Sequence, residues 1–155
     1  MAFTADHMAV LDRLEEELRL ARAPMPRLFS KLVATVCIRL PLLNKSGQAA
    51  RIEKLTSAGA WADAALLLLE LEIPAWKLRR LVCQDGEWLC SLSRQPNLPI
   101  AFDEPVEATH EILPLAILRA FVEVRRSELP AAQSVARVPQ VRPVPEQLIC
   151  CDNFT

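Results

Sequence analysis

The stretch GAWADAALLLLELEIPAWKLRRLVCQDGEWLCSLSR, from Gly59 to Arg94, decides the fold. Its first half predicts a helix, because Trp61 to Leu71 carries Ala62, Ala64, Ala65 and four successive leucines, all strong helix formers. Asp63 falls in the first turn, where the helix dipole favours a negative charge, and Pro74 restricts Ile73 to extended geometry and ends the run. Leu66 to Leu69 point to every side of such a helix, so it must be buried on most of its surface. It is the expected centre of the molecule, with Glu70 and Glu72 near its exposed end.

The second half predicts a β-hairpin. Asp85-Gly86 accepts the positive φ angles of a tight type I′ turn, and residues of high strand preference flank it. A two-residue loop sets Gln84 opposite Glu87, Cys83 opposite Trp88, Val82 opposite Leu89, Leu81 opposite Cys90 and Arg80 opposite Ser91. Alternation then puts Leu81, Cys83, Trp88, Cys90 and Leu92 on one face, the expected core face. Leu78, Arg80, Val82, Leu89, Ser91 and Ser93 share the other. That second face is mixed, and Arg80, Val82 and Leu89 on it are the candidate protein-binding residues.

The chain has 155 residues, 52% of them hydrophobic, which is ample for a packed core in one domain. A net charge of -1 gives no overall field to draw in nucleic acid or an anionic membrane. Each of the three glycines has a structural use: Gly47 in a turn or helix start, Gly59 between helices, Gly86 in the hairpin. None is left for a phosphate-cradling loop, so P-loop and dinucleotide-binding enzymes are not indicated and no cofactor is expected. Five cysteines without paired metal spacing suit free thiols in a reducing compartment. The opening MAFTADHMAVLD lacks the basic and apolar regions of a secretory signal, and a cytoplasmic location is expected. Cys83 and Cys90 are diagonal neighbours at roughly 7–8 Å, long for a disulfide, and are expected to be small core hydrophobes.

Before the central stretch, Thr4 to Ala21 predicts a helix with Met8, Leu11, Leu14, Leu18 and Ala21 on one narrow stripe, ended by Pro24 and Pro26. Such a stripe docks on the domain or pairs with a second copy. Arg27 to Leu43 predicts a second helix on which Arg27, Lys31, Thr35 and Arg39 form one polar edge, ended by Pro41. A core helix showing that edge to water is expected, with membrane-surface binding as the alternative. The segment is too short and too charged for a span of about 20 apolar residues. Ser46 is the expected N-cap of a third helix through Ala58, which Gly59 stops.

Two helices joined near a glycine and followed by a hairpin resemble the winged-helix DNA-binding family, with residues 46 to 73 as the helical pair and 77 to 93 as the wing. The resemblance covers about half the chain and lies in element order. It implies DNA contacts from the basic wing residues Lys77, Arg79, Arg80 and Arg94. The helix in the recognition position departs from the pattern, since it offers Asp63, Glu70, Glu72 and leucines where base edges and phosphates call for donors.

After the hairpin, Leu98, Ile100 and Phe102 alternate with Pro99, Ala101 and Asp103 as an expected third, edge strand. Asp103, Glu104, Glu107 and Glu111 surround His110, an incomplete set for a metal, and Thr109 is an expected cap for a last helix over Ile112 to Arg126. Pro114 belongs in its first turn. Pro130, Pro139, Pro143 and Pro145 space a polar segment that builds no core, lacks P-x-x-P spacing and is expected to be extended or disordered. Asp152 in the fourth place from the end excludes a prenylation box around Cys150 and Cys151.

The expected architecture is therefore α+β: about five helices packed with a small antiparallel hairpin or three-stranded meander in a single domain over residues 1–129, with a Pro-rich disordered tail over 130–155. No catalytic constellation, metal motif or repeat emerges. The expected function is that of a small non-catalytic, cytoplasmic protein-interaction or regulatory protein that binds a protein partner or itself. A winged-helix-like DNA-binding regulator is the alternative.

Overall fold

A computed structural model describes residues 2–24 and 26–129, and the expected tail from Pro130 lies outside them. The described residues form five α-helices and one three-stranded antiparallel sheet, an α+β fold. In chain order these are α1 (Ala2–Leu20), α2 (Pro26–Val36), a 3-10 helix (Leu40–Ser46), α3 (Gln48–Ser57) and α4 (Trp61–Glu72). Then come β1 (Lys77–Gln84), β2 (Glu87–Ser93), a 3-10 turn (Ile100–Phe102), β3 (Val106–His110) and α5 (Leu113–Glu128).

The hairpin forms with the expected turn. Asp85 and Gly86 both take positive φ, 52° and 85°, and the register runs as expected from Gln84 opposite Glu87 to Arg80 opposite Ser91. Beyond that point a β-bulge between Leu78 and Arg80 shifts the pairing, so Leu78 lies opposite Leu92 and Lys77 opposite Ser93. The extra residue moves Leu78 from the mixed face to that of Leu92, and frees Arg79 from the alternation.

The third strand is not the one expected. Val106–His110 pairs antiparallel with β2, while Leu98, Ile100 and Phe102 sit in an exposed loop ending in the 3-10 turn. Arg79 and Ser93 hold that loop away from the ladder, through Asp103 and the carbonyls of Pro96 and Leu98. Cys90, Leu92, Ala108 and His110 share the covered face, against which α5 packs. Cys83, placed in the core by alternation alone, is exposed at the hairpin tip, and Trp88 is half-buried. Alternation names the face but not how far along it the helix reaches.

The central helix is α5 rather than α4. It touches α1, α4, β2 and β3, and Leu115, Ala116, Ile117, Leu118, Ala120, Phe121, Val122 and Val124 are buried on it. Helix α4 packs mainly on α3 and α5, burying Ala64, Ala65, Leu68 and Leu69 and leaving Leu66 and Leu67 half-buried. Leu11, Leu14 and Leu18 seat α1 along α5, where Arg119 pairs with Glu15 at 2.5 Å and Arg126 with Asp12 at 2.7 Å.

Two further expectations change. The segment from Arg27 to Leu43 is not one helix: α2 ends at Val36, a bend follows, and Pro41 sits at the start of the 3-10 helix instead of ending an α-helix. Ser46 does not cap α3; its hydroxyl bonds back to the Leu43 carbonyl, and Gly47 at φ 74° occupies the cap position. At the far end of α3, Gly59 at φ 76° lets the Ala60 N–H reach the Leu55 carbonyl at 2.9 Å, a Schellman closure that sets the angle into α4.

The bend after α2 explains the largest correction. Glu72 is 2% exposed, not at an exposed end. Its Oε2 accepts the N–H groups of Ile38 at 3.0 Å and Arg39 at 3.2 Å, and its Oε1 accepts that of Leu40. Arg125 of α5 completes the site with Nη2 at 2.7 Å from Oε2. One carboxylate thus caps the 3-10 helix and joins α4 to α5.

Glu72→Ala is expected to destabilise the protein by about 3–5 kcal/mol, because it takes from the largely buried Arg125 its nearer carboxylate partner and leaves the N–H groups of Ile38, Arg39 and Leu40 without their acceptor. Urea unfolding checks this, and a loss under about 1 kcal/mol would show that water replaces the carboxylate. Trp88→Ala is expected to cost about 2 kcal/mol, below the range for a fully buried aromatic, and Cys83→Ala to stay within about 0.5 kcal/mol.

Candidate functional site

The residues singled out on the mixed hairpin face are brought together. Val82 and Leu89 are direct cross-strand partners and half-buried, and the exposed Arg80 lies one pair further along the same face, opposite Ser91. β3 adds Thr109 beside Leu89 and Glu107 beside Ser91, both exposed. Ser91 itself is buried, with its hydroxyl unpartnered. The result is an apolar pair rimmed by charge and hydroxyl.

A deeper feature lies at the opposite end of the hairpin. Pro74 and Ala75 turn the chain out of α4, closed by the Trp76 N–H on the Ile73 carbonyl at 2.9 Å, and this delivers Trp76 to the start of β1. Its indole Nε1 donates to Glu128 Oε1 at 3.0 Å, and the Arg94 guanidinium lies over the ring, 4.9 Å from its centroid. Arg94 also pairs with Glu128 at 3.3 Å, so the end of α5 holds both. Facing them is the loop from Arg94 to Asp103. Arg79, freed by the bulge, clamps that loop: its guanidinium donates to Asp103 Oδ2 at 2.5 Å and to the carbonyls of Pro96 and Leu98. Ser93 holds the other oxygen of Asp103 at 2.7 Å.

Between these walls is an open groove of about 620 Å³, lined by Trp76, Arg94, Phe102, Glu104, Val106 and Ser127 among others. Phe102 at its rim is 76% exposed and Ile100 beside it in the chain 61%. The clamped loop thus holds two large apolar side chains in water at the edge of the groove. Sequence reasoning missed this site, because Phe102 was placed in a strand and the partners of Trp76 and Arg79 lie on distant elements.

The acidic residues around His110 do not converge. Asp103 serves Arg79, Glu104 lines the groove, Glu107 is on the outer sheet face, and His110 is on the inner one. His110 Nδ1 accepts the N–H of Ile112 at 2.9 Å and so braces the start of α5, the role expected of Thr109. The carbonyl of Thr109 instead accepts from Arg119. Among the described residues no group of three His, Cys, Asp or Glu side chains is arranged to hold a metal, and no helix is long and apolar enough to cross a membrane.

Of the four basic wing residues, Lys77 and Arg80 are exposed, while Arg79 and Arg94 are committed to Asp103 and Glu128. The order α3, α4, hairpin agrees with the winged-helix pattern, but α4 presents its buried face to the core and Asp63 and Glu70 to water. No known protein family, curated protein or solved structure matches this chain.

Burial pushes the thiols of Cys37 and Cys90 up to about 12, with the Glu72 carboxylate adding to the effect at Cys37. Both therefore stay protonated and unreactive at neutral pH, whereas Cys83 is exposed. Iodoacetamide near pH 8 is expected to alkylate Cys83 and to spare Cys37 and Cys90 until denaturant is added, as peptide mapping by mass spectrometry would show. Rapid labelling of Cys90 in the native protein would mean that α5 does not seal the sheet.

Proposed function

We propose that this chain is a non-catalytic protein-interaction module that receives an extended segment of a partner protein in the groove between Trp76 and Phe102. The observation that carries this is the exposure of Phe102 and Ile100 on a loop fixed by Arg79, beside an indole fixed by Glu128. Trp76 is held by Glu128 and Arg94, so little of its rotamer freedom remains to be lost on binding, and aromatic side chains are common interface anchors. Arg80, Val82 and Leu89 form a second, shallower contact surface on the outer face of the sheet.

A protein partner fits this surface better than duplex DNA. Two of the four wing cations are neutralised by carboxylates, and the exposed side chains Asp63, Glu70, Glu104 and Glu107 oppose phosphates.

Photocrosslinking in the cell of origin tests the groove. With p-benzoylphenylalanine at position 102, a discrete adduct with another protein is expected, and it should be absent when the probe replaces Leu42, which is equally exposed. With the partner identified, Phe102→Asp is expected to weaken binding by about 2 kcal/mol or more, on the order of thirtyfold. Identical adducts at positions 102 and 42, or none at 102, would overturn the proposal. Adducts with nucleic acid would promote the DNA-binding alternative.

A further inference from the structure

The sequence from Pro26 to Ala58, which forms α2, the 3-10 helix and α3, carries Arg27, Lys31, Arg39, Lys45, Arg51 and Lys54 against a single acid, Glu53. In a chain of net charge -1 this concentrates positive charge on one part of the fold. Within that part lies the bend that Glu72 fixes. Ile38 is 66% exposed there and Leu42 78%, the latter the most exposed large hydrophobic side chain among the described residues. The backbone that holds them out is tied down: Glu72 accepts the N–H groups of Ile38, Arg39 and Leu40, and the Leu42 N–H bonds the Arg39 carbonyl at 3.0 Å. Side chains three apart eclipse on a 3-10 helix, so the exposed Arg39 shares an edge with Leu42. Helix α3 starts one residue after the 3-10 helix, and the Arg51 N–H bonds the Gly47 carbonyl at 3.1 Å, which places Arg51 in the adjoining turn. Lys54 follows it on the exposed side of α3. Arg39, Arg51 and Lys54 are all exposed and in no ion pair among the described residues, whereas Lys31 is paired with Glu17. Glu53 does not offset them at the bend, because it lines a cleft with Pro26, Phe29 and Trp61, beside the other half of α2.

We propose that this bend is a docking site for an anionic lipid bilayer, with Ile38 and Leu42 entering the boundary between headgroups and acyl chains while Arg39, Arg51 and Lys54 meet lipid phosphates. Charge and chemistry together select this partner. Two aliphatic side chains held in water beside unpaired cations complement a surface where hydrocarbon lies beneath a layer of anions, and the long stems of Arg39 and Lys54 let their charged ends stay at the headgroups as the aliphatic tips go deeper. Nucleic acid would meet the same cations, but residues 37–47 offer no aromatic ring on which a base could stack, and phosphates gain nothing from Ile38 and Leu42. The contact is peripheral, since no helix among the described residues is long and apolar enough to cross the bilayer. Glu72, which fixes the bend, thereby fixes the direction in which the two aliphatic tips point.

Flotation of the full chain with vesicles tests this, using phosphatidylcholine alone and phosphatidylcholine in which about one lipid in three is phosphatidylglycerol. Binding to the mixed vesicles is expected to be about tenfold tighter or more than to the neutral ones, and to weaken by about tenfold when salt rises from about 0.1 M to about 0.5 M. The double variant I38S/L42S should lose about tenfold or more in affinity for the mixed vesicles, and R39E/R51E at least as much, whereas Leu42→Trp should keep binding because an indole suits the interface. These side chains stand in water, so the unfolding midpoints of the variants are expected to match that of the wild type. Absence of binding, equal affinity for the two kinds of vesicle, or wild-type affinity in I38S/L42S would overturn the proposal. So would capture of duplex DNA or RNA that requires Arg39 and Arg51 but is indifferent to Ile38 and Leu42. None of the variants alters a residue lining the groove between Trp76 and Phe102, so each outcome bears on the bend alone.

Discussion

A single buried carboxylate organises this fold. Glu72 ends α4, accepts three successive backbone N–H groups at the start of the 3-10 helix, and meets Arg125 on α5. A buried ion pair adds little net stability relative to an apolar pair of the same shape, because both charges give up their water. What it does provide is a unique arrangement. Without an acceptor at that point, the buried amide of Leu40 and the part-buried amides of Ile38 and Arg39 would lose their partner, so the carboxylate ties the bend to the two helices.

The same arginine carries the arrangement to the groove. Arg125 touches Glu72 with one nitrogen and Glu128 with another at 3.3 Å, and Glu128 in turn holds Trp76 and Arg94. A second anchor, Arg79 with Asp103 and Ser93, fixes the facing loop. The two walls are thus set by polar contacts to buried or half-buried partners, while the aromatic rim residue Phe102 projects freely.

The sheet shows the complementary economy. Its inner face is sealed by α5 around Cys90, Leu92 and Ala108, and the hairpin runs on past that cover to an exposed Cys83. The outer face keeps the Val82–Leu89 pair half-buried between Arg80 and Thr109. Both lie on a strand pair whose register the Asp85-Gly86 turn locks, so neither surface depends on a partner for its shape.

Local chemistry was enough to determine the helices at 61–72 and near 112–126, the type I′ turn, the pairing from Gln84 to Arg80, and the role of Gly59, because each follows from steric and periodic rules acting over a few residues. Periodicity even held a signal that charge obscured: Glu72 lies seven residues after Ala65 and four after Leu68, on their buried stripe. Whether a carboxylate on that stripe is tolerated depends on the donors brought to it from Ile38 to Leu40, more than thirty residues away. The bulge at Arg79, the choice of Val106–His110 over Leu98–Phe102 as third strand, and the groove between Trp76 and Phe102 are of the same kind. Each is fixed by a contact between residues distant in sequence, where no local preference discriminates, so only the tertiary structure could decide them.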